Sequence, residues 1–197
     1  MERTNCENCR NTFKEYASLI KREGFSDLLK WLEEKSDFFT APASTKYHSN
    51  FEGGLCFHTI KVFEQMMTEL PRIKTFYPDL TDDEVVEKIA IVSLLHDICK
   101  TSMYTLSTRN VKNEETGKWE KVPCYTIDDK VPFGHGEKSV ILAQAFTRLK
   151  ADEIGAILAH MGDFSDTKTG LIFDKYHLAV ELHIADLRAS RYDEEAV

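Results

Sequence analysis

The stretch LLHDICK, from Leu94 to Lys100, places a histidine, an aspartate and a lysine at the end of an apolar run. The preceding residues, IAIVSLL, are apolar on every side, which is typical of a central helix. His96 and Asp97 are therefore expected near the interior, either as a hydrogen-bonded pair or converging on one cation. Lys100 follows one turn after Asp97, where it would contact a phosphate oxygen or end the helix in solvent.

Further histidines and an aspartate occur where the local pattern would direct them inward. His58 lies one turn into an apolar helix, and His135 is bracketed by two glycines before an amphipathic helix. His160 ends the apolar segment EIGAILAH, and Asp186 lies in LHIADLRAS among small and apolar neighbours. Imidazoles and carboxylates without thiolates indicate a divalent-metal site with open coordination positions rather than a closed structural zinc site.

The elements that would position these residues are mostly helices. Apolar residues recur with the helical period of about 3.6 over 11–22, 26–34, 55–70, 81–100, 137–149, 151–161 and 174–191. Between 103 and 128, β-forming residues flank the polar turn NEETG, which predicts a hairpin inserted between helices. We expect this hairpin to hang over the metal site as a lid or substrate wall. No repeat or linker divides the chain, so one domain over 1–197 is predicted.

Composition narrows the class of protein. A chain of 197 residues with 42% hydrophobic content can bury a sizeable core. The net charge of -8 argues against a broad basic surface that could bind an extended nucleic acid, although binding of a small anionic substrate remains possible. The polar amino end and the absence of a long apolar run predict a cytoplasmic protein without a membrane span. The five cysteines are read as reduced thiols. The Cys6–Cys9 pair binds zinc, undergoes redox cycling or lies in a frayed end.

The motifs GGLCFHT, LLHDICK, GHGEKS, AHMGDF and ADLRAS occur in the order found in HD-domain proteins. Over about residues 44–190 the chain resembles the HD metal-dependent phosphohydrolases. The resemblance covers both the H…HD…D core and the longer two-metal pattern, although Met161 stands where many relatives have a second histidine. The metal ligands that it implies are His58, His96, Asp97, His135, His160 and Asp186.

This resemblance implies an all-α HD-domain helical bundle with a small β-hairpin insertion. The implied activity is hydrolysis of a nucleotide or other small phosphate ester by water activated on one or two divalent ions. Iron, manganese, nickel, cobalt, zinc and magnesium are all compatible with such ligands. Asp97 and Lys100 would be catalytic, with Asp97 shared between the ions and Lys100 also contacting substrate.

The segment STKYHSNFEGG resembles the lead-in of HD proteins related to bacterial exoribonucleases. Lys46 and His48 are therefore further candidates for substrate binding. Two alternatives to the small-molecule hydrolase remain, a 3′-end nuclease on single-stranded nucleic acid and a non-catalytic metal- or nucleotide-binding module. The sequence does not determine the oligomeric state.

Overall fold

The computed structural model describes residues 6–162 and 168–194. Within these ranges the protein is mostly helical, with one small two-stranded antiparallel sheet, as the sequence predicts. No described helix combines the length and the apolar character needed to cross a membrane. The elements are α1 (Cys6–Ala17), α2 (Phe25–Glu34), α3 (Gly54–Thr68), α4 (Leu70–Thr75), α5 (Asp82–Leu95), β1 (Tyr104–Lys112), β2 (Trp119–Ile127), α6 (His135–Gln144), α7 (Ala151–Ala159), α8 (Thr169–Lys175) and α9 (His177–Arg188).

The helices pack around one apolar core. Helix α3 lies against α5 and α9, while α7 lies against α9 and α6. The close approach of α6 to α7 depends on Gly136, because a Cβ at this position would lie 2.7 Å from the carbonyl oxygen of Ile157. The largest completely buried side chains are Phe13, Phe38, Leu28, Leu32, Leu55, Met66, Ile73, Ile89, Ile91, Leu94, Leu95 and Ile98.

The central helix α5 begins and ends for identifiable reasons. Its amino end has the expected capping box, in which the Thr81 hydroxyl accepts from the Glu84 amide and the Glu84 carboxylate accepts from the Thr81 amide. The helix ends at Leu95, so the prediction of a helix continuing to residue 100 is wrong. Asp97 leaves the helical region at φ -112° and ψ 12°, and a short 3-10 turn follows it.

Other predicted boundaries also change. Helix α1 begins five residues before the predicted 11–22 segment and ends at Ala17. The predicted helix 174–191 is interrupted at Tyr176, whose extended backbone separates α8 from α9. After α9, a π-helical turn over Ala189–Asp193 continues the chain. These breaks reflect tertiary packing, which apolar periodicity does not report.

The hairpin predicted over 103–128 is confirmed. Its strands pair antiparallel in continuous register, with Tyr104 opposite Ile127 at the base. The Tyr104 hydroxyl donates a hydrogen bond to the carbonyl oxygen of Ala43 at 3.2 Å. Farther along, both strands are largely exposed, and Leu106 is 73% accessible. The hairpin is therefore attached at its base and projects from the helices, which limits any lid role to the base.

Candidate metal centre

The six predicted metal ligands come from five different helices and meet at one place. Most of them lie at or next to the end of a helix, where side chains from separate elements can converge. His58 lies one turn into α3, and His135 is the first residue of α6 rather than part of the preceding loop. The others are His96 and Asp97 at the end of α5, His160 at the end of α7, and Asp186 within α9.

One half of the cluster surrounds the Nε2 atom of His58. This nitrogen lies 3.2 Å from Nε2 of His96, 3.2 Å from Oδ1 of Asp186 and 3.4 Å from Oδ2 of Asp97. Three of these side chains are almost completely buried, and the Asp186 side chain is 17% exposed. Two imidazole nitrogens and two carboxylates thus face one small space.

The other half of the cluster surrounds the second oxygen of Asp97. Oδ1 lies 2.6 Å from Nε2 of His135 and 3.5 Å from Nε2 of His160. Each half contains three potential ligand atoms within 4.8 Å of one another. Because Oδ2 faces His58 and His96 while Oδ1 faces His135 and His160, the Asp97 carboxylate lies between two ligand sets.

Hydrogen bonds to the outer ring nitrogens orient the imidazoles. Nδ1 of His96 donates to the carbonyl oxygen of Ser93 at 2.7 Å, and Nδ1 of His160 donates to that of Ile157 at 2.6 Å. A carbonyl oxygen can only accept, so Nδ1 carries a proton in both rings. Their Nε2 atoms consequently point into the cluster, where a metal ligand must lie.

The clustered groups differ in their electrostatic state. Burial lowers the pKa of His96 to about 3, which keeps this ring neutral. Burial also opposes charge on His58, but the Glu194 carboxylate and two others outweigh it and raise the His58 pKa well above its ordinary value. Burial likewise opposes charge on Asp97, but the Lys100 ammonium and nearby imidazoles hold its pKa well below the ordinary value. In the metal-free protein a protonated His58 therefore supplies positive charge among these carboxylates.

Lys100 is an integral part of the cluster. Its ammonium lies 2.6 Å from Oδ2 of Asp97, and the residue is nearly buried rather than a solvated helix end. Burial disfavours the charged form, but the adjacent Asp97 carboxylate raises the Lys100 pKa above its ordinary value. Lys100 therefore keeps its proton and neutralises Asp97, while contact with a phosphate stays a prediction.

The two candidates before α3 occupy different environments. His48 packs beside His58, with 4.9 Å between ring centroids, and its Nε2 atom is buried without a hydrogen-bond partner. Burial lowers the pKa of His48 to about 4, so it would act as a neutral group. Lys46 is exposed, and its ammonium lies 5.0 Å from the centroid of the Tyr47 ring. The structure thus places His48 beside the ligands and Lys46 at the surface.

Sequence reasoning misses the partner of His58. Glu194 places Oε1 2.7 Å from Nδ1 of His58, and no spacing or motif signals this contact. His183 lies three residues before Asp186, and its Nδ1 donates to the carbonyl oxygen of His160 at 2.6 Å. Cys99 is also missed, although Sγ lies 3.3 Å from Nδ1 of His135.

The thiols form no alternative metal site in the described residues. The side chain of Cys6 lies outside the described part, so the zinc and redox hypotheses for the Cys6–Cys9 pair stay untested. None of Cys9, Cys56, Cys99 and Cys124 takes part in a disulfide.

Comparisons with known proteins return no match, whether to a family model, to a curated protein or to a solved structure. The resemblance to HD-domain proteins therefore stays an expectation from motifs.

Proposed function

We propose that this chain is a metal-dependent phosphohydrolase that acts on a nucleotide or another small phosphate ester. The observation that carries the proposal is Nε2 of His160, a buried nitrogen with no hydrogen-bond partner that points toward Asp97. Leaving a buried polar atom unsatisfied costs about 1–3 kcal/mol. A cation between His160 and Asp97 would satisfy this lone pair.

The donor set fits divalent ions. It consists of imidazoles and carboxylates, which suit iron, manganese, cobalt, nickel, zinc and magnesium to different degrees. His58, His96, Asp97 and Asp186 would hold one ion, while Asp97, His135 and His160 would hold a second. Bound there, a divalent ion supplies a nucleophilic water at neutral pH and stabilises charge on phosphoryl oxygens.

The protein's own groups define how substrate would approach. The buried ligands exclude solvent from the inner wall, whereas His135 is 26% exposed and marks the open side of the cluster. Lys100 stands beside Asp97 with its proton retained, so it can also attract an anionic phosphate. A cluster that combines cation-binding groups with a fixed ammonium favours a phosphate ester over an uncharged substrate.

A second candidate is the 3′-end nuclease, which one observation on the hairpin favours. In an antiparallel hairpin, the side chains of two paired residues point to the same face of the sheet. Tyr104 therefore shares a face of the hairpin with every second residue of both strands. This face contains no acidic residue, in a chain of net charge -8. Aromatic and basic groups together are typical of single-strand binding. The relevant members of this face are Tyr104, Leu106, Lys112, Trp119, Lys121 and Tyr125.

Metal content and turnover together test the proposal. Tag-free wild type, Asp97→Ala and the exposed control Asp79→Ala would be analysed for metals and then assayed with a nucleotide panel after each metal is restored. We expect metal and phosphate release in wild type and Asp79→Ala and their loss in Asp97→Ala. One metal equivalent would indicate the His58 half alone, and two would indicate both halves.

The same proteins discriminate among the alternatives. Release of mononucleotides from labelled single-stranded RNA or DNA, without turnover of free nucleotides, would favour the nuclease. Tight nucleotide binding without turnover under every metal would favour a binding module. Wild type that takes up no metal after reconstitution would contradict the proposal.

A further inference from the structure

The carboxylate of Glu194 is buried beside the metal centre, although the residue lies beyond the last turn of helix. It follows the π-helical turn at Ala189–Asp193, and only 7% of its surface is exposed. Oε1 accepts a hydrogen bond from Nδ1 of His58 at 2.7 Å, and Oε2 accepts one from the hydroxyl of Ser49. One side chain thus joins the segment after α9 to the amino end of α3 and to the loop before it.

Glu194 also makes His58 different from the other buried histidines. The outer nitrogens of His96 and His160 donate to neutral backbone carbonyls within their own helices. His58 instead donates to a carboxylate that is remote in the chain. A carboxylate partner increases the donor strength of an imidazole ligand and fixes the ring with Nε2 toward the metal. Unlike His96 and His160, His58 therefore depends on another segment for its orientation.

The Ser49 contact extends this dependence to the loop that precedes α3. Ser49 is buried in the left-handed region at φ 46°, a conformation that costs free energy in a residue other than glycine. Its backbone carbonyl accepts from the amide of Ala43 at 3.0 Å, which closes the loop. The same loop places His48 against the His58 ring. The hydrogen bond to Glu194 helps to hold this strained arrangement.

We propose that Glu194 is a positioning residue that couples metal binding to the docking of residues 189–194. The proposal rests on the metal centre described under the proposed function. When the segment is docked, Glu194 holds His58 in the geometry that binds the ion. Linkage is reciprocal, so the bound ion must stabilise the docked segment by the same factor by which docking increases metal affinity.

Titration of Mn²⁺ into EDTA-stripped protein provides the first test. Because loss of an outer partner typically lowers metal affinity about 10- to 100-fold, we expect a loss of that size in Glu194→Ala. Glu194→Gln retains an acceptor oxygen but lacks the charge, so its affinity should lie between those of wild type and Glu194→Ala. Asp79→Ala is the control, because Asp79 is exposed and lies in the turn between α4 and α5, outside the cluster and outside residues 189–194.

Trypsin cleavage after the exposed Arg191 provides a second readout that does not depend on catalysis. Mass spectrometry would measure the cleavage rate with and without Mn²⁺. We expect Mn²⁺ to slow this cut in wild type and in Asp79→Ala, and to have little effect in Glu194→Ala. If Glu194 contributed only to the general stability of the fold, Glu194→Ala would change the cleavage rate equally with and without Mn²⁺.

The possible results separate this proposal from the proposed function. If wild type binds neither Mn²⁺ nor any of Fe²⁺, Co²⁺, Ni²⁺, Zn²⁺ and Mg²⁺ in the same titration, both proposals are overturned. Wild-type binding with unchanged affinity in a folded Glu194→Ala variant would overturn only the role of Glu194. If Glu194→Ala does not fold, by circular dichroism, Glu194→Gln decides the question, and wild-type affinity in that variant would overturn the proposal.

Discussion

The buried pair of Asp97 and Lys100 allows a quantitative test of the site in the metal-free protein. Their charged atoms are 2.6 Å apart, and the side chains are only 2% and 11% exposed. Asp97→Asn removes the negative charge but keeps an oxygen that can accept from His135. Lys100→Met removes the positive charge and keeps the apolar stem. The two changes and their combination form a double-mutant cycle.

The expected magnitudes follow from what each substitution leaves behind. Asp97→Asn leaves Lys100 as a buried cation without its partner, which costs about 3–5 kcal/mol. Lys100→Met leaves Asp97 with His58 and His135 as partners, so we expect a smaller loss of about 1–3 kcal/mol. The double variant avoids the isolated cation. Its loss should therefore fall below the sum of the single losses by about 2 kcal/mol.

Urea unfolding followed by circular dichroism, at neutral pH with EDTA, would measure these free energies. The exposed pair of Lys14 and Glu33, at 2.9 Å with side chains 47% and 26% accessible, is the control. The cycle of Lys14→Met and Glu33→Gln should give a coupling below about 1 kcal/mol. Additive effects within about 0.5 kcal/mol for the Asp97–Lys100 cycle would refute the reasoning.

Three further predictions concern pH, packing and the hairpin. Burial holds the pKa of His96 at about 3 and that of His48 at about 4, below the ordinary value of 6.5. Between these pKa values and pH 6.5, the unfolded chain therefore binds more protons than the folded protein. The free energy of unfolding of the metal-free protein should thus fall as the pH drops below 6.5, by about 1.4 kcal/mol per pH unit for each of the two imidazoles, and a constant urea midpoint would contradict this. Gly136→Ala should destabilise the protein by about 1–3 kcal/mol in the same assay, because its Cβ would meet the Ile157 carbonyl, and an unchanged midpoint would argue against that contact. Trp119→Ser should change the free energy of unfolding by less than about 0.5 kcal/mol, since the side chain is 70% exposed, and a larger loss in thermal melting would show that the ribbon is packed.

Much of the fold could be predicted because its signals are local. The capping box at Thr81 joins residues three apart, and the hairpin follows from β-forming residues on both sides of one polar turn. The breaks at Asp97 and Tyr176 could not be predicted in this way. Both interrupt segments whose apolar pattern continues, because the backbone there follows the packing of neighbouring helices.

The sequence by itself determined the helical class, the hairpin and the types of side chain that could bind a metal, since periodicity and donor chemistry are properties of the residues. Only the tertiary structure decided that the two oxygens of Asp97 face different histidines and that Lys100 neutralises this carboxylate. It also brought Glu194 to His58 across 136 positions of the chain. Such a contact depends on how the segment after α9 packs beside α3, and that three-dimensional relation leaves no mark in the spacing of residues.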